Sequence, residues 1–143
     1  MLKTILLLIL INLTTFASNT QMQNRELSTK NMKSQNKYIA KLAATEINKS
    51  LPQKIDKYTT LVNVKSDEAT IVYIYELNIA PKSDKSVIKE DHSRMKEAIT
   101  RGTCQSSKRF LEANISLRYI YNSSKSKKEL FRFDINQKSC FKI

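Results

Sequence analysis

Few side chains in this sequence are able to do chemistry. The 143 residues hold two cysteines, Cys104 and Cys140, one histidine, His92, and one glycine, Gly102. A zinc site of the usual kind draws four ligands from Cys, His and carboxylate. One His, with both cysteines committed to each other, does not supply such a set, so neither a metal nor any other cofactor is expected. A nucleophile elbow and a phosphate-cradling loop both need several glycines. The ordered carboxylates are Asp56, Glu76, Glu90, Asp91, Glu97, Glu112, Glu129 and Asp134. No local spacing among them marks a general acid with its base. Lys and Arg outnumber Asp and Glu by 25 to 13, so these acids read as ion-pair partners. No catalytic residue is assigned, and the chain is read as a non-enzyme.

The N-terminus carries the marks of an export signal. Lys3 gives the positive start, residues 5–13 are apolar apart from Asn12, and Thr15-Phe16-Ala17 offers small residues for cleavage after Ala17. The apolar run falls short of the roughly 20 residues that span a bilayer. No cysteine follows it to take a lipid. Residues 1–17 are therefore expected to be removed, and the mature protein to be periplasmic or secreted. The formal charge of +12 would lose only Lys3. Such a balance favours an acidic protein or an anionic envelope surface, and export makes nucleic acid the least expected partner. An oxidising compartment also turns Cys104 and Cys140 into a structural disulfide. Free or redox-active thiols are the alternative, without a Cys-x-x-Cys motif to support them. His92, with no partners in view, reads as a helix-surface or helix-boundary residue.

The elements that must position these side chains follow from periodicity. Residues 18–35 have sparse, aperiodic apolar residues and read as a flexible leader turning helical toward its end. From Asn36 to Ser50, Tyr38, Ile39, Leu42, Ala43 and Ile47 recur at helical spacing, and Pro52 ends the pattern. Residues 58–64 and 69–78 read as a hairpin. In its second strand Ile71, Tyr73, Tyr75 and Leu77 share one face, Val72, Ile74 and Glu76 the other, so that strand should be central. A second helix is expected from Ser86 to about Thr100, with Gly102 as its left-handed C-cap. Cys104 would open a further short helix. A second hairpin follows, with Ile115, Leu117, Tyr119 and Tyr121 on one face and Phe131, Phe133 and Ile135 on its partner, around a turn at 122–128.

The expected fold is α+β in the order α-β-β-α-α-β-β, as one domain over residues 36–143. A four-stranded antiparallel sheet would carry the helices on one face, and one disulfide would clamp its second half. The opposite face would show Val72, Ile74, Ile120 and basic residues. Asn114 would cap the short helix in a left-handed conformation. Glu112-Ala113-Asn114-Ile115-Ser116 and Asn122-Ser123-Ser124 also match glycosylation acceptors, both weak patterns.

Two stretches carry a resemblance. Leu51-Pro52 with Asp56, Thr59 and Leu61, followed by Tyr73-x-Tyr75-x-Leu77, is similar to a pattern in small exported bacterial proteins and lipoproteins of unassigned function. Cys104 with Arg109, Leu111, Tyr119-x-Tyr121 and Cys140 forms a helix-hairpin that resembles, more loosely, the small pilotin lipoproteins that chaperone outer-membrane secretins. This chain departs from pilotins in having no lipidation cysteine, so the resemblance implies fold more than role. The expected function is a non-catalytic periplasmic or secreted module that binds a protein partner. Tyr73, Tyr75, Tyr119 and Tyr121 are its candidate anchors, since tyrosine is favoured at interface hot spots; their alternative is core packing. A pilotin-like assembly factor, an immunity or inhibitor protein, and a cell-wall enzyme are the other readings.

Overall fold

Helix α1, Thr14–Asn48, takes in the helical pattern that begins at Asn36 and extends back through the residues read as a leader. The computed structural model describes residues 14–142; most of the expected signal segment 1–17 lies outside the described residues. From Asn36 onward α1 belongs to the compact unit Asn36–Ile143. There Ala40 and Ala44 face inward, where their small side chains let the helix lie close to the sheet. Two asparagines clip it down. Asn36 donates to the Ala113 carbonyl at 2.6 Å. Asn48 accepts from the Val64 amide at 2.9 Å and donates to the Val64 carbonyl. Beyond Asn48 a turn of backbone bonds leads to Leu51 and the cis peptide at Pro52.

Five strands make one sheet in chain order: β1 (Gln53–Lys54), β2 (Thr59–Asp67), β3 (Thr70–Leu77), β4 (Ser116–Ser123) and β5 (Glu129–Ile135). The expected four-stranded antiparallel sheet is corrected in two ways. The two-residue β1 pairs antiparallel with β2; it is too short to show any alternation. And β3 pairs parallel with β4, in register from Thr70–Ser116 to Leu77–Ser123. Two hairpins placed side by side would not require this, but the connection between them does. Residues 78–115 form three helices, α2 (Asp84–Ile88), α3 (Ser93–Ser106) and α4 (Lys108–Glu112). They carry the chain back along the sheet, so the next strand runs the same way as the last. At about 1.5 Å per residue, a 14-residue α3 is roughly as long as the strands it returns along.

The second helix also differs from its expectation. It breaks at residues 89–92 into α2 and α3, and α3 continues through Gly102 to Ser106. No glycine among the described residues has a positive φ, so Gly102 is a helix-interior residue and not a cap. The helix runs on because Thr100 and Thr103 are buried on its inner face. Cys104 therefore lies in the last turn of α3, and α4 begins at Lys108. Asn114 does adopt the left-handed conformation, φ 62°, after α4.

The two core clusters gather on one sheet face, and Val72 is buried on the other. Ala40 and Ala44 pack with Leu61, Val64, Ile71 and Ile115. A bulge at Leu61/Asn63 puts Leu61 and Val64 on the same side. Leu111, Leu117 and Ile135 form a second cluster with Ile99 and Phe110. The Cys104–Cys140 disulfide, with Cα atoms 5.7 Å apart, ties α3 to the 3₁₀ turn Gln137–Lys142 beside that cluster.

Candidate functional site

The four tyrosines marked by sequence lie together on the helix-bearing face. Parallel register sets Tyr73 beside Tyr119 and Tyr75 beside Tyr121, and antiparallel register sets Tyr121 beside Phe131. The rings stack in a continuous row. Tyr73 and Tyr119 have centroids 5.3 Å apart, Tyr119 and Tyr75 6.4 Å, Tyr75 and Tyr121 4.9 Å, Tyr121 and Phe131 4.8 Å, and Phe131 and His92 3.9 Å. Such offset pairs are worth about 0.5–1.5 kcal/mol each beyond area burial. Tyr73 packs against both core clusters, so the row occupies the strip of sheet between them.

Tyr121 is buried, whereas Tyr73, Tyr75 and Tyr119 are partly exposed. Tyr119 shares a 2.7 Å hydrogen bond with the Thr103 hydroxyl. The hydroxyls of Tyr73, Tyr75 and Tyr121 enter none of the hydrogen bonds found among the described residues, yet no side-chain polar atom there is both buried and unpaired. Those three hydroxyls are therefore not fully enclosed. Burial pushes all four phenols up from their ordinary range; repulsion between neighbouring rings adds to this at Tyr73, Tyr75 and Tyr121. They act as neutral donors and acceptors rather than as bases.

His92 ends the row. Its Nε2 lies 3.0 Å from the Val87 carbonyl, and it precedes α3 without a side-chain cap bond. Its role is thus to join α2 to β5. With Tyr58, Leu77, Val87, Met95 and Phe131 it lines a mainly apolar depression of about 370 Å³. Sequence reading missed this continuation, because the signal lies in the β4–β5 register and not in any spacing around His92. Among the described residues no group of three or more His, Cys, Asp or Glu could hold a metal ion.

The opposite sheet face has a different character. Val72, Ile74 and Ile120 lie there as expected. Arg118 bonds Asp134 at 2.5 Å and Asp67 at 3.3 Å, Arg132 bonds Glu129, and Lys127 bonds Glu76. Partly exposed ion pairs of this kind contribute little each, but they satisfy the charges locally. The tyrosine strip, with free hydroxyls on a rigid aromatic floor, is the better candidate site. Of the glycosylation patterns, Asn122-Ser123-Ser124 runs from the end of β4 into the turn, with Ser123 fully buried, and Ile115 of the other is buried too.

A family model described as Domain of unknown function (DUF8479) matches residues 34–131. No curated protein matches the sequence. Among solved structures the chain is similar to the pilotin EpsS of the Vibrio vulnificus type 2 secretion system, at 12% identity and TM-score 0.63, covering 78% of this chain and 96% of that one. It is similar to the type II secretion system pilotin AspS of Vibrio cholerae, at 13% and 0.62, covering 79% and 99%. A candidate secreted protein of Pseudomonas aeruginosa matches at 11% and 0.68, covering 76% and 96%. At these identities the likeness is one of fold, and at that level it bears out the loose pilotin resemblance of the helix-hairpin.

Proposed function

We propose that this chain, which belongs to the family described as Domain of unknown function (DUF8479), is a non-catalytic module that binds a protein partner in the bacterial envelope or outside the cell. The observation that carries the reading is the tyrosine strip: a row of stacked rings, buried at Tyr121 and half-buried at Tyr73, Tyr75 and Tyr119. Rigid aromatics lose little entropy on binding and offer apolar area with a polar handle. Export by the N-terminal segment would bring the module to that compartment. No helix among the described residues is long and apolar enough to cross a membrane.

The pilotin fold likeness favours one version of this reading, an envelope assembly factor whose partner is a secretin-like protein. The test separates ring from hydroxyl. A photo-crosslinking residue at Tyr75 should capture one stoichiometric envelope protein. Binding of that protein should weaken about tenfold in Tyr75→Phe, the loss of one hydrogen bond of roughly 1.5 kcal/mol, with an unchanged melting temperature. Turnover of an envelope substrate by the purified protein, with no adduct formed, would sink the proposal.

A further inference from the structure

Three loops meet at the sheet end where β2 begins and β3 and β4 finish. The Asn78 amide donates to the Tyr58 carbonyl at 2.8 Å, and the Ser124 amide to the Leu77 carbonyl at 2.9 Å. The Ser126 hydroxyl donates to Asp84 at 2.5 Å. These bonds join the turn before β2, the α2 segment and the β4–β5 turn into one surface. It carries three of the seven exposed large apolar side chains among the described residues: Ile55, Tyr58 and Ile88, each about half exposed. Each has a lysine as its neighbour in sequence, Lys54, Lys57 and Lys89, and Lys57 Nζ sits 4.6 Å from the centre of the Tyr58 ring.

The carboxylates at this end are occupied within the fold. Asp56 accepts from the Tyr58 and Thr59 amides. Asp84 is held by Ser126, Glu76 by Lys127, Glu90 by Lys82 and Asp91 by Ser93. Lys54, Lys57, Lys85, Lys89, Lys125 and Lys128 enter none of the ion pairs found among the described residues, although Lys125 and Lys128 lie close enough to Asp84, and Lys54 to Asp56, to help hold those carboxyls below the usual range. The end therefore presents apolar tips set among unpaired cations. Lysine is depleted from the cores of protein interfaces. Lysine interleaved with aromatic and aliphatic tips suits the boundary between lipid headgroups and acyl chains.

We propose that this end of the domain docks on the surface of an anionic phospholipid bilayer. Ile55, Tyr58 and Ile88 enter the headgroup layer, and the six lysines pair with lipid phosphates. The surface does not include Tyr73, Tyr75, Tyr119 or Tyr121, and it borders the His92 end of the aromatic row, where Tyr58 lines the depression.

The protein has no tryptophan, so Tyr58→Trp in the full chain gives a single reporter. With vesicles of mixed phosphatidylglycerol and phosphatidylcholine, its fluorescence should shift to the blue and be quenched by brominated acyl chains. Lys54→Gln, Lys57→Gln, Lys125→Gln and Lys128→Gln together should weaken that binding about tenfold or more, and about 0.5 M NaCl should do the same by screening. All four lysines are exposed, so the variant should melt at the parent temperature. A parallel Tyr38→Trp protein, with its reporter on the outer side of α1, should be shifted and quenched less. The N-terminal apolar segment is common to every variant, so these differences read the loop end itself. No shift at position 58, an equal shift with neutral phosphatidylcholine alone, or a shift with a soluble acidic protein but not with vesicles would each overturn the proposal.

Discussion

At the scale of single residues, the tyrosines carry both the candidate function and a measurable electrostatic signature. Burial raises the Tyr75 and Tyr121 hydroxyls furthest, and the neighbouring phenols add to it. Tyr73 and Tyr119 move the same way, with the Thr103 hydrogen bond opposing the shift at Tyr119. A phenol whose folded value lies above its unfolded one, about 10, contributes stability that is fully present below that pH. The contribution is lost as pH rises through the folded value. Stability should thus be indifferent to these groups at neutral pH and fall above about pH 10. Alkaline titration checks this: tyrosinate absorbance from these rings should rise together with loss of near-ultraviolet circular dichroism. Ionisation of all four in a protein with intact dichroism would show that burial does not hold their protons. Tyr73-x-Tyr75 and Tyr119-x-Tyr121 were readable as same-face pairs from alternation alone. That the two pairs stack on each other was not, because it depends on the register between β3 and β4.

At the scale of elements, Gly102 shows how a local signal can mislead. A lone glycine just past an apolar stripe is the common signature of a helix end. Here the helix continues through it, because tertiary burial of Thr100 and Thr103 favours one more turn. A Cβ at position 102 would meet no atom within 4 Å, and the backbone is helical. Gly102→Ala should therefore stabilise the protein by about 0.5–1 kcal/mol, mainly by restricting the unfolded chain. Urea unfolding should show a higher midpoint with an unchanged slope. The sheet offers a similar lesson. Alternation placed β2 to β5 and identified β3 as central, but two-residue β1 has no alternation to read. The helical crossover fixes a parallel β3–β4 pair that hairpin reasoning assigned the opposite sense.

At the scale of the whole molecule, the disulfide spans the second half of the fold. Cys104 and Cys140 are 36 positions apart, and the loop they close contains α4, β4 and β5. The chain-entropy account gives about 4 kcal/mol for a loop of this length, an upper-end value. Cys104→Ser with Cys140→Ser should lower the melting temperature by roughly 10–20 °C for a unit of this size. Calorimetry of the double variant, and of the parent with reductant, should agree; no change would mean that the core alone sets stability. The clamp holds Leu117 and Ile135 against α3 and α4. It thereby supports one border of the tyrosine strip without lining it.

Composition and periodicity alone were enough for the mixed α+β class, the disulfide and the facing pairs of tyrosines, because each rests on local spacing or on residue type. The loose resemblance of the helix-hairpin from Cys104 to Cys140 to pilotins is a likeness of its residues, which the solved structures match at the level of fold. Three features required the chain to be folded. The parallel β3–β4 pair depends on where a long helical connection returns, the asparagine clips of α1 join residues far apart in sequence, and the cationic, apolar-tipped end gathers three separate loops. Each is a long-range arrangement, and neither the 3.6-residue nor the two-residue period contains information about which distant segment a face will meet.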